Sequence, residues 1–128
     1  MKICVSASSD NIDAIVDSRF GRCPYFLIVE TETMDYNAIL NDSINAAHGA
    51  GIQASQTVVN MGVKVVITGN IGPNAFNVLS AAGIKLITGV SGSIRVAVEK
   101  YKNGQLQETT NPTVGGHFGI GKGQTRKR

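Results

Sequence analysis

Two side chains of this sequence are suited to coordinate a soft metal centre. Cys23 lies between an arginine and a proline at the end of a polar loop, and His48 lies in the small, glycine-containing segment of residues 46–51. A thiolate and an imidazole both bind soft and borderline metal ions. The chain has one further cysteine, Cys4, which falls in an apolar segment and is expected in the core. Because the two cysteines form no CxxC pair, cysteines alone cannot close a zinc site here.

Two glycine-containing loops, at residues 69–73 and 89–93, each lead into a predicted helix. Exposed N–H groups and the helix dipole make such positions favourable for anions. Arg95 lies in the first turn of the helix after the second loop, where a cation costs about 0.3–1 kcal/mol unless a negative group is near. We therefore expect an anionic ligand at these loops, although neither matches a P-loop or a GxGxxG motif. The expected contacts are Asn70, Gly72, Gly92 and Arg95.

The apolar pattern predicts the elements that position these residues. Strands are expected at residues 2–7, 25–31, 36–40, 63–68 and 84–88, and helices beginning at residues 50, 73 and 93. The second and third strands are joined so closely that they must form an antiparallel hairpin. The later strand–loop–helix units are typical of parallel strands. The sequence thus predicts one α/β domain of order βββαβαβα, with Cys23, His48 and both loops at the carboxyl edge of the sheet, where such sheets bind ligands.

Composition and charge exclude several classes of function. The chain has 128 residues and a net charge of +3, but Lys122, Arg126, Lys127 and Arg128 form a basic terminal cluster. No basic stripe with interleaved aromatic residues favours nucleic-acid binding. No apolar run is long enough to span a membrane, and no secretory signal is evident, so a cytoplasmic protein is expected. Residues 107–128 are predicted to be a flexible, glycine-rich basic tail, in which His117 is a solvated histidine or a third ligand.

An enzymatic role is not expected. Asp10, Asp13 and Asp17 in the first loop could hold magnesium for a hydrolase, but a solvent-facing loop is the simpler interpretation. Neither His48 nor His117 has an assignable acidic partner for a catalytic triad.

Three segments resemble a known family. They are SRFGRCPYF at residues 18–26, HGAGIQ at residues 48–53 and VITGNIGPNA at residues 66–75. Over about residues 1–106 the chain resembles a small stand-alone member of the dinitrogenase iron–molybdenum cofactor biosynthesis family. The resemblance implies a three-layer ribonuclease H-like fold with a mixed five-stranded sheet. It also implies that Cys23 and His48 are candidate cluster ligands and that residues 70–73 cradle the cluster.

The function expected from these features is a non-catalytic, nitrogenase accessory-like carrier of an anionic iron–sulfur or iron–molybdenum-type metallocluster. Its expected partners are the proteins that donate and accept the cluster, with neither nucleic acid nor membrane involved. A monomer or weak homodimer is expected. The alternative is a regulatory module that binds a phosphorylated small molecule or a nucleotide through the two glycine loops.

Overall fold

The computed structural model describes residues 1–113 as an alternation of strands and helices around one sheet. In chain order the elements are β1 (Lys2–Ala7), β2 (Tyr25–Glu30), β3 (Tyr36–Leu40), α1 (Ala50–Val59), β4 (Val65–Ile67), α2 (Pro73–Ala81), β5 (Lys85–Ile87) and α3 (Ile94–Lys102). The predicted α/β class, with a mixed five-stranded sheet and three helices, is confirmed for this part of the chain. The ribonuclease H-like label stays a prediction.

The sheet has the order β3-β2-β1-β4-β5. The β1–β2 and β2–β3 pairs are antiparallel, whereas β1–β4 and β4–β5 are parallel. Parallel pairing requires a crossover between strands, and α1 and α2 supply it. The strands β1, β4 and β5 therefore end at the same edge of the sheet, from which α2 and α3 begin.

Side chains that alternate along β1 enter two separate hydrophobic cores. Ile3 and Val5 pack with Ala97 and Val98 of α3 on one face of the sheet. Cys4 packs with residues of α1 and α2 on the other face. This alternation is the period of two that a strand imposes. The result is a central sheet with α1 and α2 on one side and α3 on the other.

The described part of the predicted tail contacts the body of the protein. The N–H of Thr109 donates to the carbonyl of Leu86 in β5 at 2.6 Å, and the N–H of Thr113 donates to the carbonyl of Ile71 at 2.9 Å. The flexibility proposed for residues 107–128 stays a prediction, and His117 and the basic cluster lie outside the described residues. Within residues 1–113, no helix has the length and apolar character needed to cross a bilayer.

Candidate functional site

A cleft of about 480 Å³ opens at the carboxyl edge of the sheet, on the side that α1 and α2 cover. It lies between the first turn of α1, the first turn of α2 and the loop after residue 17. The lining residues are 18–22, 49–52 and 70–75. Two of the predicted ligand contacts, Asn70 and Gly72, thus lie in its wall.

Glycines allow the three walls to approach closely. A methyl group on Gly69 would lie 2.6 Å from the Cα of Ser18, and one on Gly21 would lie 3.0 Å from the backbone nitrogen of Gly51. Real Cβ atoms do not tolerate the first of these distances. The backbone of Asn70 completes the junction, because its N–H donates to the carbonyl of Ser18 at 2.8 Å. Residue 69 must therefore be glycine because a side chain would collide with Ser18, and not because of its backbone conformation.

Two helices begin at this cleft without a side-chain cap. The N-cap residues are Gly49 for α1 and Gly72 for α2, and neither helix has an acidic residue in its first turn. The first N–H groups of a helix have no intrahelical partner and carry the positive end of its dipole. Two such helix starts facing one cleft create a positive potential that suits an anion.

Two arginines belong to the third wall and have different roles. The Arg19 side chain is 63% exposed and its Nε lies 3.2 Å from Oδ1 of Asp17. The Nη1 of Arg22 instead donates to the carbonyls of Ile44 and Ala46, at 3.0 and 2.6 Å. Arg22 thereby fixes the loop that leads to His48, while Arg19 stays accessible to a ligand.

The structure corrects the predicted placement of Cys23. This residue is fully buried in the core beneath α1 and α2, not on an exposed rim. Its Sγ donates to the carbonyl of Phe20 at 3.3 Å. Burial is the main cause that raises the pKa of the Cys23 thiol to about 12. At neutral pH Cys23 is therefore a protonated core residue in this conformation.

His48 lies next to the cleft and is exposed to solvent. It immediately precedes Gly49, the first wall residue from this segment. The structure does not bring His48 and Cys23 together as an exposed pair, since one faces solvent and the other the core. Among residues 1–113, no group of three or more histidine, cysteine, aspartate and glutamate side chains is arranged to hold a metal ion.

The start of α3 is not part of this cleft, because α3 lies on the opposite face of the sheet. Its first N–H groups are already used: those of Ile94 and Arg95 donate to the carbonyls of Ala14 and Ile12, at 3.0 and 3.1 Å. Ser93 caps the helix by accepting from the N–H of Val96. The predicted contacts Gly92 and Arg95 are thus separated from Asn70 and Gly72.

The charge of Arg95 has an internal partner, so it does not by itself require an anionic ligand there. Its Nε lies 2.9 Å from Oδ1 of Asp13. Hydrogen bonding to Arg95 is the main cause that lowers the pKa of the Asp13 carboxyl. Asp13 and Asp17, two of the three carboxylates considered for magnesium, each pair with an arginine instead.

Sequence reasoning missed the wall formed by residues 18–22. Its signal was present in the segment SRFGR, whose Gly21 lies in a turn at residues 20–22. Close packing of Gly21 on Gly51 explains that glycine and identifies the loop as a wall of the cleft.

Comparisons with known proteins agree with these motifs. The family model for the dinitrogenase iron–molybdenum cofactor matches residues 1–104. An uncharacterized protein of Methanocaldococcus jannaschii is 32% identical over 111 residues, covering 84% of this chain and 91% of that protein.

Two solved structures have the same fold. The apo form of the orange protein from Desulfovibrio gigas has a TM-score of 0.85 and 38% identity, covering 88% of this chain and 95% of that one. A Thermotoga protein of the DUF35 family has a TM-score of 0.74 and 32% identity, covering 88% and 97%. The match over residues 1–104 includes all three walls of the cleft. The chain belongs to the dinitrogenase iron–molybdenum cofactor family.

Proposed function

We propose that the cleft binds an anionic metallocluster of the iron–sulfur or iron–molybdenum type, and that the protein carries this cluster without catalysing a reaction. The observation that supports this proposal most strongly is the convergence of two uncapped helix starts on one cleft. Membership of a family associated with the iron–molybdenum cofactor supports the choice of ligand.

In this proposal the protein holds the cluster mainly by charge and hydrogen bonds. The first-turn N–H groups of α1 and α2 would face the anion. The exposed guanidinium of Arg19 would join them by giving up its hydrogen bonds to Asp17. His48 would supply one soft ligand at the mouth of the cleft. Cys23 would become a second ligand only if residues 20–23 moved away from the core, because its thiol is buried.

Such an arrangement suits a carrier rather than a permanent holder. A cluster that is held by few covalent ligands can pass by ligand exchange to a protein that offers more thiolates. We therefore propose that the partners are a protein that donates the cluster and a protein that accepts it.

A second candidate function is the binding of a phosphorylated small molecule or a nucleotide. The burial of Cys23 favours this second function, because it removes one of the two candidate metal ligands from the cleft and leaves the imidazole of His48 exposed beside it. N–H groups at helix starts and an arginine are typical partners of phosphate.

An isosteric charge change tests the cleft itself. Asn74→Asp places a carboxylate at an exposed position in the first turn of α2, where it stabilises the helix but repels an anion. We expect cluster affinity to fall about 5- to 10-fold while the free energy of unfolding stays the same or rises. The matched control is Asn60→Asp, which makes the same charge change at the other end of α1 and should leave affinity unchanged.

The measurement is retention of visible absorption and metal after anaerobic reconstitution and gel filtration. Equal retention by Asn74→Asp and the wild type would contradict binding in the cleft. His48→Ala separates the two candidates, since it should weaken retention of a cluster but not the binding of a nucleotide measured by calorimetry. Nucleotide binding without cluster retention would select the second candidate.

A further inference from the structure

The chain after α3 runs along the outer edge of β5 toward the cleft. β5 is the last strand of the described sheet, next to β4. Thr109 lies against its outer edge, because the N–H of Thr109 donates to the carbonyl of Leu86 and its Oγ1 accepts from the N–H of Thr88 at 3.0 Å. The hydroxyl groups of Thr88 and Thr109 are also hydrogen-bonded, at 2.8 Å. These contacts lead the chain to the carboxyl edge of the sheet.

The described chain ends on the wall of the cleft itself. Thr113, the last described residue, contacts Ile71, which lines the cleft. The backbone N–H of Thr113 donates to the carbonyl of Ile71 at 2.9 Å. The Oγ1 of Thr113 accepts from the N–H of Ile71 at 2.8 Å and donates to its carbonyl at 3.3 Å. Both backbone groups of Ile71 are thus paired with Thr113, so the chain beyond residue 113 begins at the rim of the cleft.

The described walls of the cleft supply limited positive charge. Each helix start carries roughly half a unit of charge, so α1 and α2 together offset about one negative charge. Arg19 and Arg22 are the charged residues among those that line the cleft. Both are engaged within the protein, Arg19 with Asp17 and Arg22 with two backbone carbonyls. An anion with more than one negative charge therefore needs further cations at the mouth of the cleft.

Residues 114–128, which lie outside the described structure, continue from this rim with the chemistry that the walls lack. They carry a net charge of +4, whereas residues 1–113 carry −1. They also include His117, whereas the other histidine, His48, adjoins the wall that α1 forms. His117 follows Thr113 by four residues, and four residues extend at most about 14 Å. A sphere with the volume of the cleft, about 480 Å³, is narrower than this reach, so His117 can enter the cleft from the side of α2.

We propose that residues 114–128 bind across the mouth of the cleft once an anionic cluster occupies it. In this arrangement His117 is a cluster ligand opposite His48, and it supplies the second ligand that the buried Cys23 does not. The basic residues of the segment surround the exposed side of the anion. Without an anion, the basic segment and the positive helix starts repel each other, so the segment binds only to the loaded cleft. This inference rests on the proposed function and extends the same site.

Tryptic cleavage of the full chain tests whether the segment binds to the loaded cleft. Trypsin cuts after lysine and arginine, so cleavage at Lys122 and Arg126 reports on the segment. We expect a saturating amount of isolated iron–molybdenum cofactor, added anaerobically, to slow cleavage at both residues about tenfold. The control is an isotope-labelled free peptide of residues 114–128 in the same mixture. The peptide lacks the anchor at Ile71, so its cleavage should not slow, which excludes inhibition of trypsin by the cofactor.

Full-length variants separate the contribution of the ligand from that of the charge. His117→Ala removes the imidazole and should release the cofactor about tenfold faster than the wild type, measured by the decay of visible absorption in excess iron chelator. The matched control Gln124→Ala changes the same segment without removing a ligand or a charge, and should release the cofactor like the wild type. Arg126→Gln with Arg128→Gln should weaken retention at low salt, and this difference should shrink at high salt.

Three outcomes would overturn the inference. Cofactor retention that His117→Ala leaves unchanged, together with rapid cleavage at Lys122, would overturn the inference alone and leave the proposed function standing. Protection that increases with protein concentration would place the segment in the cleft of a second copy instead. A wild type that retains no cofactor would contradict both the inference and the proposed function.

Discussion

Cys23 is a residue type suited to metal binding, but here its side chain packs in the hydrophobic core. Between Arg22 and Pro24 it has the neighbours of an exposed loop residue, and sequence reasoning placed it on the rim. The chain turns inward after Phe20, whose ring lies 5.2 Å from that of Phe26, and Cys23 joins the same core. No periodic pattern precedes β2, so the sequence offered no signal for this inward turn.

The burial of Cys23 predicts a pH dependence of stability. The pKa of its thiol is about 12 in the folded state against an ordinary 9.0, so the unfolded chain loses this proton first. The stabilisation is fully present below about pH 9 and is lost as the pH rises toward 12. Its full size is of the order of a few kcal/mol. Urea unfolding of the wild type and of Cys23→Ala, at about pH 8 and about pH 10.5, measures it.

We expect Cys23→Ala to lose about 1 kcal/mol at neutral pH and to show a weaker decline at alkaline pH than the wild type. The comparison between the two proteins removes the contribution of tyrosines and lysines that ionise in the same range. Parallel declines in the two proteins would show that Cys23 is not buried as described.

The sequence predicted where the helices begin, but it did not predict which helix starts face the same cleft. The pair Gly72 and Pro73 indicated the start of α2, and the pair Gly92 and Ser93 indicated the start of α3. Which face of the sheet each helix covers depends on the direction of each crossover connection, and the pattern of apolar residues does not encode it. As a result Asn70 and Gly72 meet in the cleft, whereas Gly92 and Arg95 lie on the other side.

The glycine contacts between walls of the cleft predict a contrast between two alanine substitutions. Gly69→Ala places a methyl group 2.6 Å from a backbone atom of Ser18, so the wall must shift. We expect a loss of about 1–3 kcal/mol in the free energy of unfolding. Gly51→Ala makes only an ordinary 3.4 Å contact with Ala75, and a helix favours alanine by up to about 1 kcal/mol. Chemical denaturation should show that Gly51→Ala is at least as stable as the wild type; the reverse order would refute this packing.

Arg22 is expected to hold the loop that precedes α1. Removing its hydrogen bonds to Ile44 and Ala46 in Arg22→Ala should make the opening of this loop easier by about 1–2 kcal/mol. Hydrogen exchange of the Ala46 amide, which donates to the carbonyl of Ser43, should then be about tenfold faster. Arg19→Ala is the control, because Arg19 pairs with Asp17 and makes neither bond. Equal exchange rates in the two variants would argue against this role for Arg22.

At the scale of the whole molecule, the sequence predicted the α/β class, the mixed sheet and the family. The hairpin of β2 and β3 followed from a link too short for a crossover, and the buried β4 followed from a run of β-branched residues. These are local signals. The site depends on contacts between distant segments, such as Ser18 with Asn70 and Gly21 with Gly51, which a single sequence does not reveal.

Nuclear magnetic resonance can show directly whether an anionic cluster binds between the starts of α1 and α2. Isotope-labelled protein would be titrated anaerobically with isolated iron–molybdenum cofactor, whose unpaired electrons broaden the signals of nearby amides. We predict broadening first at Gly21, Gly51 and Asn74, which line the cleft, while Ile94 and Arg95 at the start of α3 stay sharp. Broadening centred on α3, or no selective broadening at all, would contradict binding between the starts of α1 and α2.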